Sequence, residues 1–197
     1  SSAGTSETSK VQKTLFGTGG YFIEKDFAFL PGRFGENIGS RISIGYDRVL
    51  HKIETGVSDR TDKDSSRSPT GAYPGTGFAL TQSVENSISA SLDNISTVYA
   101  LLNITDWLYV KTGSMEMDLT TTESLETGSA YGNTSLDGSV VGFGLNFVTD
   151  GGIFTRIEYN DTTIDGAVFT SSTNADNKVT LNEITGTQAK ISIGKSF

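Results

Sequence analysis

Apolar and polar residues alternate with a period of two along most of this chain, most clearly at its end. From 187 to 197, Ala189, Ile191, Ile193 and Phe197 share one face, and Gln188, Lys190, Ser192, Gly194 and Ser196 share the other. Successive side chains of a β-strand point to opposite faces, so this reads as a strand with one apolar face. Segments 138–148 and 153–164 repeat the pattern: Val141, Phe143, Leu145 and Phe147 oppose Gly142, Gly144 and Asn146, while Ile153, Thr155, Ile157 and Tyr159 oppose Phe154, Arg156, Glu158 and Asn160. In segment 107–120, Met115, Met117 and Leu119 form the apolar face and Glu116 and Asp118 the polar one. With 11–25, 39–57 and 84–104, seven extended segments are predicted, and no segment has a convincing helical period. Near Asp93 the apolar set changes parity, from Ile88, Ala90 and Leu92 to Ile95, Thr97 and Tyr99, which predicts a β-bulge.

The connections alternate in length. Residues 58–83, 121–137 and 165–185 are long, 105–106 and 149–152 are short, and 26–38, with Pro31, Gly32 and Gly35, is longer than a tight turn. Long loops at one end and tight turns at the other are the build of an outer-membrane barrel. The expected fold is therefore all-β: an antiparallel up-and-down transmembrane β-barrel of about eight strands, seven of them visible, over residues 11–197, with 1–10 a flexible tail or loop remnant. Because such barrels have an even number of strands, an eighth is expected upstream of Ser1 or from another chain, so an N-terminal fragment or a homo-oligomer is a candidate partner.

Composition fits this reading. Only 35% of residues are hydrophobic, and no run approaches the ~20 apolar residues of a membrane-spanning helix, but a barrel dilutes its lipid-facing residues with lumenal ones. A net charge of -8 argues against nucleic acid, zero cysteines exclude disulfides and thiolate metal sites, and residues 1–10 lack the features of a signal peptide.

In a barrel the polar faces line the lumen. Glu116, Asp118, Arg156, Glu158, Lys190 and Arg41 are expected to form a lumenal charge network, with Glu24 and Asp47 on the same faces and Arg156 paired to Glu116, Asp118 or Glu158. In a soluble sandwich the same residues would be a solvated outer surface. Tyr99, Trp107, Tyr109, Phe147 and Phe197 are expected to form aromatic belts at headgroup level; ordinary core packing is the other reading.

The terminal strand QAKISIGKSF, the hairpin GSVVGFGLNFVTDGGIFTRIEYN and the unit NITDWLYVKTGSMEMDL resemble small outer-membrane β-barrel proteins of Gram-negative bacteria, of the porin-like and outer-membrane protein A type. The loop strings TTESLETGSAYGNTSLDG and SSTNADNKVTLNEITG are similar to those of marine bacterial barrel proteins. The likeness lies mainly in residues 84–197. It implies a bacterial outer-membrane location, outer-membrane lipid as surroundings, and recognition of the terminal strand and Phe197 by the barrel assembly machinery. Lys195 stands where that pattern usually has an aromatic or aliphatic residue.

Signals for catalysis are weak. His51 is the single histidine, no G-x-S-x-G is present, and a histidine on a strand rim is usually solvated. Asp59, Asp62 and Asp64 lack the spacing of a calcium loop, and the sequons at Asn94, Asn103, Asn133 and Asn160 fall mostly in or beside strands. The expectation is a non-enzymatic barrel without cofactor or metal, its lumen filled by side chains and its long loops presented for surface interaction or envelope structure. Two alternatives stay open: a narrow porin for small solutes, and a soluble self-assembling surface or virion structural protein.

Overall fold

β-branched and aromatic residues at alternate positions make extended chain the favoured local state, and the computed structural model bears that out over residues 15–30, 32, 38–54, 58–63, 83–124, 131–172, 175 and 178–196. The strands in these residues are β1 (Gly20–Asp26), β2 (Ile42–Val49), β3 (Ile53–Glu54), β4 (Ser58–Lys63), β5 (Ser83–Asn103), β6 (Leu108–Ser124), β7 (Thr134–Val148), β8 (Ile153–Ile164), β9 (Ala167–Thr170), β10 (Lys178–Leu181) and β11 (Ile184–Lys195). One short 3-10 turn, Gly39–Arg41, precedes β2. No helix among the described residues is long or apolar enough to cross a membrane, which says nothing of a barrel.

A single antiparallel sheet runs β1-β2-β5-β6-β7-β8-β11, and β3 and β4 continue the line of β2 along the edge of β5. Seven staves result. Of the first expected segment only Gly20–Asp26 is strand; 15–19 are irregular and 11–14 lie outside the described residues. Ser58–Lys63, expected as loop, pairs with β5 because that long strand still offers an unpaired edge there. The long connection after β8 holds its own hairpin, β9 with β10. The expected tail 1–10 lies outside the described residues.

The sorting of connections is seen in the register. At the turn end, Asn103 faces Tyr109 and Val148 faces Phe154. Thr105 closes the first turn by accepting hydrogen bonds from the Trp107 and Leu108 amides at its Oγ1. Gly152 closes the second with φ +76°, a conformation L side chains rarely adopt, and its carbonyl accepts the Ser196 amide, tying the end of β11 to this turn. Long connections leave from the opposite, loop end. The bulge also appears: register shifts between Asp93 and Ser96, with Asn94 at φ 52°.

The sheet curls until residues of β8 and β11 touch those of β1 and β2 across the interior, through Arg156–Glu24, Lys190–Asp47 and the Phe22–Phe154 ring pair, centroids 6.0 Å apart. No ladder joins β1 to β11. The described sheet is curled and open along that seam.

Candidate functional site: a charged interior and an outer face that inverts

Residues directly opposite in a ladder share a face, so register decides what meets what. Inside the turn-end half, three cations meet three carboxylates. Arg156 on β8 donates from both terminal nitrogens to Glu24 on β1, Nη1 to Oε2 at 2.6 Å and Nη2 to Oε1 at 2.9 Å. Glu158, one repeat along β8, lies 3.4 Å from Lys111 Nζ and 4.0 Å from Lys190 Nζ, and Lys190 also pairs with Asp47. Arg156 is 8% exposed and is ringed by Phe154, Tyr109 and Phe22, its guanidinium carbon 4.7, 5.3 and 5.6 Å from their centroids. Lys111 sits 4.1 Å above the ring of Tyr99, whose hydroxyl donates to Glu24 Oε2. Buried ions persist only when each has a partner and hydrogen bonds, and this set satisfies both conditions.

Glycines make room for the rings. A Cβ on Gly45 would lie 2.3 Å from Tyr99 Cζ, and one on Gly144 would lie 2.5 Å from Tyr109 Cζ. Each aromatic ring thus lies flat over the bare backbone of a neighbouring or facing strand. The space bounded by Phe22, Tyr99, Arg156, Glu158, Lys190 and Ser192 leaves no room for a water molecule.

Several expected positions are therefore corrected. Tyr99 and Tyr109 are not belt residues: at 3% and 0% exposure they lie inside, because their parity on β5 and β6 points inward. Trp107 and Phe147 are exposed, Trp107 at the turn-end rim, and Phe197 lies outside the described residues. Arg156, Glu158 and Lys190 do share one interior, but the partner of Arg156 is Glu24 rather than Glu116, Asp118 or Glu158. Arg41 stays exposed on the 3-10 turn, donating to the Ile104 carbonyl. Lys111 was missed altogether; its inward parity with Gly113, counted from the Thr105–Asp106 turn, was the available signal.

Glu116 and Asp118 are on the outer face, and the reason concerns the whole sheet. In the turn-end half the outward positions are mostly apolar, with Lys25, Thr112 and Thr155 among the exceptions: Ile23, Ile44, Val98, Val110, Val141, Phe143, Ile157, Ile191 and Ile193 are all exposed, the last two at 75% and 74%. On β7 this band runs from Val141 to Phe147, about 20 Å along the strand at ~3.3 Å per residue. Beyond it the outer positions of the same strands become Ser96, Glu116, Asp118, Ser135, Asp137 and Asp161. Inside, the order reverses: charges give way to a cluster of Ile95, Met117, Leu119, Leu136 and Ile164, with Phe169 and Leu181 of the β9–β10 hairpin packed against it. Met117 is 1% exposed. A polar chain marks the crossing level on the outside: Arg48 Nη2 donates to Asn94 Oδ1 at 2.9 Å, Asn94 Nδ2 to Asp118 Oδ2 at 2.8 Å, and Ser135 Oγ to Asp118 Oδ1 at 3.0 Å.

Other candidates place simply. His51 is exposed, its Nε2 3.2 Å from the Gly17 carbonyl. Asp59 and Asp62 lie on β4 and Asp64 lies outside the described residues, among which no acidic or histidine cluster could hold a metal ion. Asn160 is buried inside. No family model, curated protein or solved structure matches this chain.

Proposed function

We propose that this chain is an outer-membrane-type β-barrel protein whose turn-end half is embedded in lipid and whose loop-end half stands in water, a rigid scaffold presenting its long connections outward. The observation that carries this reading is the inversion of polarity along single strands. A soluble sheet buries its apolar face along its entire length; here the buried face is wholly apolar only beyond the Arg48–Asn94–Asp118 level, and below it the interior mixes paired charges with Tyr99, Leu101 and Tyr109 while the outer face carries the apolar band. Apolar surface that wraps successive staves and is exposed to water would be an aggregation site, whereas in hydrocarbon it is the required surface. Of the two functions open to such a barrel, scaffold is favoured over narrow porin, since paired charges and seated rings fill the space between Phe22, Tyr99, Arg156 and Lys190. Presentation of ligands or partners would then fall to the loop-end connections, since loops on a rigid frame are where recognition concentrates.

Because the chain has no cysteine, single substitutions report position cleanly. In protein refolded into phospholipid vesicles, Val141→Cys and Ile157→Cys should resist a charged aqueous maleimide while Glu116→Cys and Asp137→Cys react. Equal labelling of all four, in a chain monodisperse without detergent, refutes the embedding. A conductance step in planar bilayers would move the function to the pore.

A further inference from the structure

The hairpin between β8 and β11 continues both strands. Ile164 faces Ile184 and Ala167 faces Leu181, an equal step along each strand, so β9 and β10 carry on the β8–β11 ladder in one register across a break at 165–166 and 182–183. Facing changes at that break. On β8 the inward residues are Arg156, Glu158, Asn160 and Ile164, whereas on β9 they are Ala167 and Phe169, which pack with Leu181 of β10 on the loop-end cluster. Val168, inward by the parity of β8, is 62% exposed.

β9 is also tied to the line of β7 at both of its ends. The Asp165 amide donates to the Asp137 carbonyl at 2.8 Å, and Ser171 bridges Tyr131, again an equal step along each strand from the Gly138–Ile164 pair of the β7–β8 ladder. Thr121 Oγ1 holds Tyr131 in turn, donating to its carbonyl at 2.9 Å. Between the two ties β9 leaves β7 and turns inward, and residues 134–136 have a ladder only toward β6 among the described residues. The register on either side assigns them partners on β9: Ser135 falls to Ala167 and Thr134 to Val168.

We propose that β9–β10 is a lid over the loop-end interior with two arrangements. Closed, as described, β9 gives up pairing with β7 and seats Ala167, Phe169 and Leu181 on the cluster around Met117 and Leu136. Open, β9 lies along residues 134–136, Ala167 and Phe169 turn outward, and the apolar interior beneath is uncovered. Backbone pairing favours the open arrangement and apolar burial the closed one, so the two compete within a single hairpin. In water burial holds the lid shut, and an apolar species bound to the uncovered interior shifts it by its preference for the open form. Gly166 serves the closed form, since a Cβ there would lie 2.7 Å from the Leu181 carbonyl oxygen, and a side chain favours opening. Break, underside and ties all lie beyond the Arg48–Asn94–Asp118 level, so the lid does not depend on the other half lying in lipid.

The test uses the full chain in detergent micelles, with single cysteines replacing two inward residues that are each 1% exposed: Met117→Cys under the lid and Leu101→Cys in the turn-end half. Unfolding of the whole sheet uncovers both; opening of the lid uncovers only the first. Met117→Cys should react with an aqueous maleimide at least about tenfold faster than Leu101→Cys, and Phe169→Ala or Gly166→Ala should each speed it about tenfold more while leaving Leu101→Cys unchanged. Leu136→Cys, at a site 3% exposed, is the second reporter under the lid should Met117→Cys not fold. The open register is read separately. Thr134→Cys with Val168→Cys should cross-link under mild oxidation, faster in the Phe169→Ala background, and Thr134→Cys with Thr170→Cys should not. Equal labelling of Met117→Cys and Leu101→Cys, or equal acceleration of both by Phe169→Ala, shows that the hairpin opens only with the whole sheet and overturns the lid. Cross-linking at a rate indifferent to Phe169→Ala, or as fast at Thr170 as at Val168, overturns the open arrangement and the proposal with it.

Discussion

Arg156→Ala is the sharpest test of the interior. The guanidinium makes two short bonds to Glu24, and the two side chains are 10% and 13% exposed, so deleting the cation leaves a carboxylate held inside with only the Tyr99 and Ser43 hydroxyls as donors among the described residues. Removing one member of a buried pair costs about 3 to 5 kcal/mol. With a urea slope of about 2 kcal/mol per molar, the midpoint should fall by roughly 1.5 to 2.5 M. Unfolding in detergent micelles can be followed by the fluorescence of Trp107, the sole tryptophan. The matched control is Lys52→Ala, whose 2.6 Å pair with Glu54 has side chains more than half exposed and should give no measurable shift. Desolvation offsets most of the attraction within a buried pair, so Arg156→Met combined with Glu24→Leu should recover much of the loss, with non-additivity of about 1 to 3 kcal/mol. A shift for Arg156→Ala no larger than that for Lys52→Ala, or additive effects in the cycle, would place Arg156 on a solvated surface and refute the paired interior.

Three further outcomes are expected. Met117→Ala should cost about 2 to 5 kcal/mol in the same assay, as buried large-to-small changes do, whereas Glu116→Ala, on the outer face one residue away, should leave the midpoint unchanged; the reverse order would restore the opposite facing of β6. Gly45→Ala should lose about 1 to 3 kcal/mol because its methyl meets the Tyr99 ring, and Tyr99→Ala in the same chain should make the glycine substitution nearly silent; equal losses in both backgrounds would show that the ring does not lie over Gly45. Trp107 fluorescence in vesicles should be quenched more strongly by lipids brominated near the headgroup than by those brominated at the chain terminus, and the opposite order would remove it from the rim.

Where outer apolar residues continue over four alternate positions, the sequence alone was enough. The outward facing of Val141 to Phe147 and of Ile153 to Tyr159, the tight turns at 105–106 and 149–152, and the bulge near Asp93 were legible because each depends on neighbours within a few residues: side-chain parity, turn chemistry and a local change of phase. Expecting Glu116 and Asp118 inside failed for an equally local reason. Parity assigns two faces but not which of them is interior, and the assumption that apolar means outward holds only in the turn-end half. Met115, Met117 and Leu119 lie beyond the Arg48–Asn94–Asp118 crossing, where the outer positions become polar and the apolar residues turn in. Partners across the interior were not legible at all. Glu24 and Arg156 are 132 residues apart and join different staves, and what brings them together is the curl of the sheet, summed over every strand between them. Tyr99 and Tyr109 belong to the same class, since which face of β5 and β6 is interior follows from the curl, and the room for their rings comes from Gly45 and Gly144, which only the register places opposite them.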